Sequence, residues 1–396
     1  MSKIITDENK IDEILTRGVE DIFIKKDLEE KLYSGKQLRI KLGFDPTGSK
    51  IHIGRAIVLR KLKAFQDLGH QVIFIVGDFT AQIGDPSDKL EKRPMLKKET
   101  IKKNIKTYKK QVGKIIDLSK AKFYYNSSWL KKLGFQEISE LAESFSVQQM
   151  SARRNFKDRF EKGEEVSLRE FLYPLMQGYD SVAVKSDVEI GGFDQLFNLK
   201  AGRIIQKHYN LPEQNILTCQ MLEGTDGRKM STSWGNIITI ADEPNDIFCK
   251  IMAVDDKFIT KYFLLTTDLS MSEINRIENS LKNGENPIIY KKMLGREIVT
   301  LYYNKNKAKE AQENWEKTFS KKEIPEDVLE IKAEHQQLFF DVLIKNKIIS
   351  SKTEFRRLVD EGAITKLETK EKIKNYKIYA KSGTYRIGKK RFIKIN

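Results

Sequence analysis

Apolar residues along the chain change their spacing several times, and each change marks an element. Ile11, Ile14, Leu15, Val19 and Ile22 recur at helical intervals, so residues 11 to 33 are predicted to form a helix. RIKLGF, residues 39 to 44, reads as a strand that runs into a turn at Pro46 and Gly48. A helix is predicted from about His52 to Leu68, and the apolar run Val72 to Val76 gives a second strand that enters the loop GDFTAQIGDPS. Strand, loop, helix and strand in that order make a βαβ unit and hence a parallel sheet. A basic helical stretch covers 97 to 116, and further apolar and helical segments continue to about residue 225. Residues 244 to 330 read as mainly helical, with few glycines. Near the end, YKIYAKSGTYRIGKKRFIKIN alternates apolar and basic residues around Ser382, Gly383 and Gly388, the period-two pattern of short strands. No internal repeat or low-complexity linker interrupts this order.

Composition changes the picture in one respect. The 396 residues, 39% hydrophobic and 32% charged, suffice for a sizeable core and two or three domains. The net charge of +16, however, favours a polyanionic partner, either nucleic acid or a membrane surface. Residues 331 to 396 hold 17 Lys and Arg against 7 Asp and Glu, which gives +10 of the +16. A solvated face does not explain that concentration, and an RNA-contacting appendage does. No apolar run reaches membrane-span length, and the opening MSKIITDENKIDEIL has neither a signal-peptide core nor lipidation residues, so a soluble cytoplasmic protein is expected. The two cysteines, Cys219 and Cys249, and the four histidines form no disulfide framework and no metal spacing.

Three stretches carry candidate chemistry. GRKMSTSWGN, residues 227 to 236, sets Arg228, Lys229, Ser231, Thr232 and Ser233 between Gly227 and Gly235 without any period. It reads either as a mobile basic surface loop or as a cationic loop for a polyphosphate. In KLGFDPTGSKIHIGRA, residues 41 to 56, a strand ends at Phe44, Asp45 to Gly48 turn, and His52 to Arg55 open a helix. A helix N-terminus beyond a strand end presents free N–H groups where α/β sheets bind nucleotides. Gly54 lets a base or ribose approach, and His52 and Thr47 can donate to phosphate; the competing reading is a histidine that caps its helix. In FLYPLMQGYDSVAVKSDVEIGGFDQLFN, residues 171 to 198, Tyr173, Gln177 and Asp180 share one helical face among Phe171, Leu172, Pro174, Leu175 and Met176. That describes a pocket for a small polar ligand, and Gly191 and Gly192 before Phe193-Asp194-Gln195 permit close backbone approach.

HIGR followed about 180 residues later by KMSTS resembles the paired HIGH and KMSKS motifs of class I aminoacyl-tRNA synthetases. With GFDPT, IGDPS, YPLMQGYD and GGFDQ, nearly the whole chain resembles the tyrosyl-tRNA synthetases, in the subgroup with KLG before the DPT stretch. SSKTEFRRLVDEGAI, residues 350 to 364, looks like the S4 RNA-binding module that ends many of them. Tryptophanyl enzymes share the class I motifs but are expected to lack the Tyr/Gln/Asp face and the S4 tail. The resemblance implies an α/β fold: a Rossmann-type parallel-sheet catalytic domain over 1–225, a loop and connection over 226–243, a helical tRNA domain on the anticodon side over 244–334, and a small α+β S4-like module over 335–396. It also implies activation of L-tyrosine by ATP, transfer to tRNA(Tyr), a homodimer, Mg2+ that arrives with ATP, and no protein-bound metal or membrane.

Carried over by motif, Thr47, His52, Arg55, Lys229 and Thr232 would act in catalysis. Gly43, Asp45, Thr47, His52, Gly54, Asp194, Lys229 and Ser231 would surround ATP, with Asp194 on the ribose. Lys41, Asp85, Tyr173, Gln177, Asp180 and Gln195 would surround tyrosine. Of these, Tyr173, Gln177 and Asp85 would hold the α-ammonium, Asp180 would accept the phenolic hydrogen, and Gln195 would lie near the carboxylate. Lys352, Arg356, Arg357, Lys389, Lys390 and Arg391 would contact RNA.

The chain departs from the pattern in three places. Arg55 stands where histidine is usual, Thr232 where a second lysine is usual, and Lys41 where many bacterial relatives carry a tyrosine that helps bind the phenol. Arginine keeps donors and adds permanent charge, so Arg55 is expected to offset the lysine missing at Thr232. Two rival readings remain. One is a synthetase-like RNA-binding or regulatory protein with a decayed adenylate site. The other is a small nucleotidyltransferase, which needs neither the helical middle nor the basic tail.

Overall fold

The apolar strands assemble around the first one read from the sequence. The structure, a computed structural model, describes residues 3–85, 95–320, 328–333, 337–346, 348–369, 371–388 and 391–396. It comprises two units, residues 1–312 and 313–396.

In the first unit, β1 (Val19–Phe23), β2 (Arg39–Phe44), β3 (Gln71–Val76), β4 (Lys122–Tyr125), β5 (Val188–Gly192) and β6 (Asn215–Cys219) form one sheet in the order β1-β6-β5-β2-β3-β4. Every neighbouring pair is parallel except β1 with β6. Ile40, Leu42, Phe74, Ile75, Val188, Ile190, Ile216 and Leu217 are buried, as strands covered on both faces require. The chain moves outward from β2 in one direction through β3 and β4, and in the other through β5 and β6. A crevice therefore opens beyond the carboxyl ends of β2 and β5, where strand order reverses. The helix Ile53–Asp67 begins at that crevice, and the helix Leu168–Val184 packs on Leu196–His208 beside it.

The single helix expected over 11–33 is not one element. Glu8–Thr16 is helical with Asp7 as its N-cap, Val19–Phe23 is β1, and Lys25–Tyr33 is a second helix. Gly18 takes a φ of +63°, which ends the first helix, and the next residues find backbone partners on β6. The helical spacing of Val19 and Ile22 coincides with a short edge strand, and the pairing decides between them. From Pro244 to Trp315 the chain is mainly helical, and Pro287–Tyr302 packs on Pro244–Met252, with Gly295 against the Phe248 ring.

The second unit contains β7 (Leu329–Ile331), β8 (Ile364–Lys366), β9 (Glu371–Lys372), β10 (Gly383–Ile387) and β11 (Arg391–Ile395) in the order β7-β11-β10-β8-β9. The alternating tail thus becomes a hairpin, β10 and β11. Its apolar side and the helices Phe339–Lys345 and Lys352–Asp360 enclose Phe339, Phe355, Ile364, Tyr385, Ile387 and Ile393. Ser351 caps the second helix by accepting from Glu354 N at 3.2 Å. Among the described residues no helix is long and apolar enough to cross a membrane.

Candidate active site

The turn after β2 is held rigid by polar side chains from three directions. Asp45 accepts from Thr80 Oγ1 at 2.6 Å and from Tyr173 OH at 3.0 Å. The inward face of the helix Lys98–Val112 secures the rest: Asn104 donates to Pro46 O at 2.8 Å, Thr107 to Ser49 O at 2.7 Å and Gln111 to Ser49 O at 2.8 Å. Arg55 closes the arrangement from the helix that follows. Its guanidinium donates to Thr47 Oγ1 at 3.1 Å, and to Asp45 O and Tyr108 OH at 3.3 Å each, over the Phe44 ring.

His52 is the N-cap of Ile53–Asp67, with Nδ1 accepting from Arg55 N at 3.3 Å. Burial, then the nearby Arg55 and Lys229 charges, push its pKa down to about 3. It is therefore neutral at pH 7, and because Nδ1 accepts, the ring proton sits on Nε2 as a donor. The capping reading therefore holds, and the donor of the same ring is Nε2.

The loop 227–236 folds back over this turn. Lys229 Nζ lies 2.9 Å from Asp194 Oδ2, Met230 is buried, and the Thr232 methyl group packs over Gly48. Asn236 staples the loop, accepting from Ser231 N at 2.8 Å and donating to Asp226 at 2.7 Å and to Lys229 O at 3.1 Å.

On the other side, Asp180 is buried and accepts from Trp129 Nε1 at 2.7 Å and from Asn126 Nδ2 at 3.3 Å. Burial raises its pKa to about 7, against the lowering effect of Lys41 and of those two donors. Gln195 Nε2 and Asn198 Nδ2 donate to Asp85 at 2.7 and 3.3 Å. Arg153 donates to Asn198 Oδ1 at 3.1 Å beneath them.

One cavity of about 380 Å³ joins these halves. It is lined by Gly43, Asp45, Thr47, His52, Gly54 and Arg55, by Asp85, Tyr173, Gln177 and Asp180, and by Asp194, Gln195, Lys229, Ser231 and Thr232. Every small-ligand residue named from the sequence is on that wall except Lys41, whose side chain is buried against Glu189. The RNA candidates lie in the second unit. Arg356 and Arg357 are exposed on one helix, Lys352 lies over the Phe340 ring, and Arg391 is paired with Glu354 at 3.0 Å. Lys389 and Lys390 lie outside the described residues.

Sequence reading missed Thr80, Asn126, Trp129, Asn198 and Glu189, which orient the named residues from distant segments. It also missed Asn104, Thr107 and Gln111, for which a signal existed: three polar residues at helical spacing within the basic stretch 97–116. Among the described residues no group of three or more His, Cys, Asp or Glu is placed to hold a metal ion.

The cavity wall carries both carboxylates and cations. Asp180 lies with Asn126 and Trp129, while Lys229, the Arg55 turn and a helix N-terminus supply the positive side of the same cavity. The carboxylates suit a ligand with an ammonium and a hydrogen-bond donor, the cations and the helix N-terminus a polyphosphate. Comparison with known proteins gives the family. A family described as tRNA synthetases class I (W and Y) matches residues 33–320. A tyrosine–tRNA ligase of Carboxydothermus hydrogenoformans is 43% identical over 399 residues, covering 97% of each chain. Another, of Dehalococcoides mccartyi, is 45% identical over 361 residues, covering 90% of this chain and 91% of that one. The solved structure of a C-terminally truncated Aspergillus nidulans mitochondrial tyrosyl-tRNA synthetase has the same fold over 79% of this chain and 95% of its own, with a TM-score of 0.66 at 22% identity.

Proposed function

This chain belongs to the tyrosine–tRNA ligases among the class I synthetases, and from that premise we propose that its cavity joins L-tyrosine to the 3′ end of tRNA(Tyr) in two steps. In the first, the tyrosine carboxylate attacks the α-phosphorus of ATP and pyrophosphate leaves. In the second, a terminal ribose hydroxyl of the tRNA attacks the tyrosyl carbonyl and AMP leaves. Neither step needs a covalent bond to the protein. The protein's part is to hold reactants in line and to stabilise charge that builds on phosphate.

The carrying observation is Asp180, a buried acceptor oriented by Trp129 and Asn126 in the same cavity as Lys229. A phenol satisfies it, whereas phenylalanine leaves it buried without its partner. Tyr173, Gln177 and Asp85 would receive the α-ammonium, and Gln195 would sit by the carboxylate. Asp194 would take the ribose once Lys229 turns to the phosphates. His52 Nε2, Thr47 and Ser231 would donate to phosphate, and Arg55 would act chiefly through the turn it closes. Mg2+ would arrive with ATP, held by phosphate oxygens rather than by a dedicated protein cage.

The helices after residue 244 would meet the anticodon side of the tRNA, and Lys352, Arg356 and Arg357 would contact RNA from the second unit. A homodimer is part of the proposal, with one tRNA touching both subunits. Phe135 at 87%, Val147 at 72% and Leu168 at 74% exposure are large apolar side chains that one protomer leaves in solvent, which supports cover by a second copy. The non-catalytic reading is disfavoured because Lys229, Asp194, Asp180 and their supporting bonds are all in place together.

Tyrosine-dependent ATP–pyrophosphate exchange tests the reading, with phenylalanine and tryptophan as controls. Exchange with tyrosine alone is expected. Exchange with none of the three, from folded protein that still binds RNA, would favour the non-catalytic reading.

A further inference from the structure

Beneath the Asp180 end of the cavity lie two charges with no part in either step. Lys41 on β2 and Glu189 on β5 are 0% and 1% exposed, and Lys41 Nζ is 2.9 Å from Glu189 Oε1. They stand opposite each other in the parallel pairing of the two strands. Lys41 Nζ also donates to Ser181 Oγ at 2.7 Å and to Gln177 O at 3.0 Å. Glu189 accepts from Gln177 Nε2 and Ser181 Oγ at 3.2 Å each, and from Gln214 Nε2 at 2.5 Å. Gly202 makes room for the cluster, since a Cβ there would lie 2.4 Å from Gln214 Nε2. Glu189 reaches the cavity wall and Lys41 does not.

Burying such a pair is poor value for stability alone, because well-packed apolar side chains usually do as well or better. Its bonds point to another use. All the helix residues it engages lie on Leu168–Val184, within one turn of Asp180 or at Gln177. Glu189 without Lys41 would set a second carboxylate facing the space that Asp180 faces, and two buried carboxylates do not ionise together readily.

We propose that Lys41 and Glu189 form a positioning pair that determines selectivity for a phenol, by cancelling the Glu189 charge beside Asp180 and by fixing Gln177. The proposal rests on the tyrosine reading above. It assigns Lys41 a place behind the substrate rather than against it.

The groups around Asp180 are few. Lys41 faces it from β2, Glu189 from β5, and Asn126 and Trp129 from the segment after β4. Thr80 and Asp45 connect to it through Asn126, and Tyr173 and Gln177 lie on its own helix. Burial raises the Asp180 pKa, Lys41 opposes the rise and Glu189 adds to it. Removing either charge therefore moves Asp180 in a predictable and opposite direction.

The test compares the native protein with Lys41→Met, Glu189→Gln and the double variant, in tyrosine-dependent pyrophosphate exchange across about pH 6 to 9, where Asp180 titrates. Lys41→Met is expected to raise the tyrosine KM about tenfold at neutral pH, to change kcat at saturation by less than about twofold, and to move the acidic limb of kcat/KM upward. Glu189→Gln is expected to move that limb downward, and the double variant to return it to within about half a unit of the native position. Limbs that move together or not at all, or a double variant no closer to native than the singles, would overturn the proposal. If neither single variant folds, the charge-neutral double decides alone, and a limb displaced by more than about half a unit refutes it. Failure of the native protein to exchange with tyrosine is a separate result that removes the tyrosine reading itself.

Discussion

Replacing Asp180 with asparagine should stabilise the protein in alkali while it destroys tyrosine recognition. Burial lifts the Asp180 pKa from an ordinary 3.8 to about 7. Each unit of such a shift is ~1.4 kcal/mol, so the folded state carries a handicap of ~4 kcal/mol once the carboxylate is ionised. Between about pH 4 and 7 the folded chain holds a proton that the unfolded chain has released, so this contribution to stability falls as pH rises through that window. Asparagine abolishes the titration but has one acceptor oxygen for the two donors, Trp129 Nε1 and Asn126 Nδ2. Leaving one of them unpaired costs about 1–3 kcal/mol at any pH. Asp180→Asn should therefore be more stable than the native chain by about 1–3 kcal/mol at pH 8, and less stable by a similar amount near pH 4. Urea midpoints of the 1–312 unit at the two pH values measure the difference, and pyrophosphate exchange with tyrosine should be lost in the same variant. A stability difference of the same sign and size at both pH values would show that Asp180 is not held protonated by burial.

Other perturbations test separate parts of the argument. Glu170→Gln breaks a buried pair whose Arg159 Nη1–Oε1 distance is 2.8 Å and whose partners are each 1% exposed; a loss of about 3–5 kcal/mol is expected in urea unfolding, and a loss below ~1 kcal/mol would contradict the pairing. Arg55→His should lower the activation rate about 100-fold because the cavity wall loses a permanent cation and the turn at Thr47 loosens, and adding Thr232→Lys, which restores the cation, should recover at least tenfold; additive losses in the double variant would remove the idea that one residue offsets the other. Ser351→Ala removes a helix cap in the second unit and should cost that unit ~1 kcal/mol in its own unfolding transition while pyrophosphate exchange is unchanged.

What could be read in advance was local. The strand, turn and helix of 39–67 declare themselves by period and punctuation, and they bring Thr47, His52 and Arg55 to one place. Tyr173, Gln177 and Asp180 fall on one helix face, so their spacing alone predicts that they act together. Lys41 shows where this ends. A lysine in an apolar strand announces a buried charge, but its partner stands 148 positions further along, and no periodicity joins the two. The same holds for Thr80, Asn126 and Trp129, whose meaning appears only when three segments close on Asp45 and Asp180. In residues 11 to 33 the local signal was even misleading, because pairing with β6 outweighed helical spacing.

That edge strand also bears on how the chain is made. Val19 to Phe23 pair with residues 216 to 219, so β1 emerges from the ribosome long before its strand neighbour β6 exists. At about 5–20 residues per second, the intervening segment takes roughly 10–40 s to synthesise. Through that interval the strand offers unpaired N–H and C=O groups to any exposed edge nearby. Its exposed Glu20 and Asp21 give it like charges that resist pairing with a second nascent copy of itself. The last strand of the sheet thus sets the moment at which the first one becomes safe.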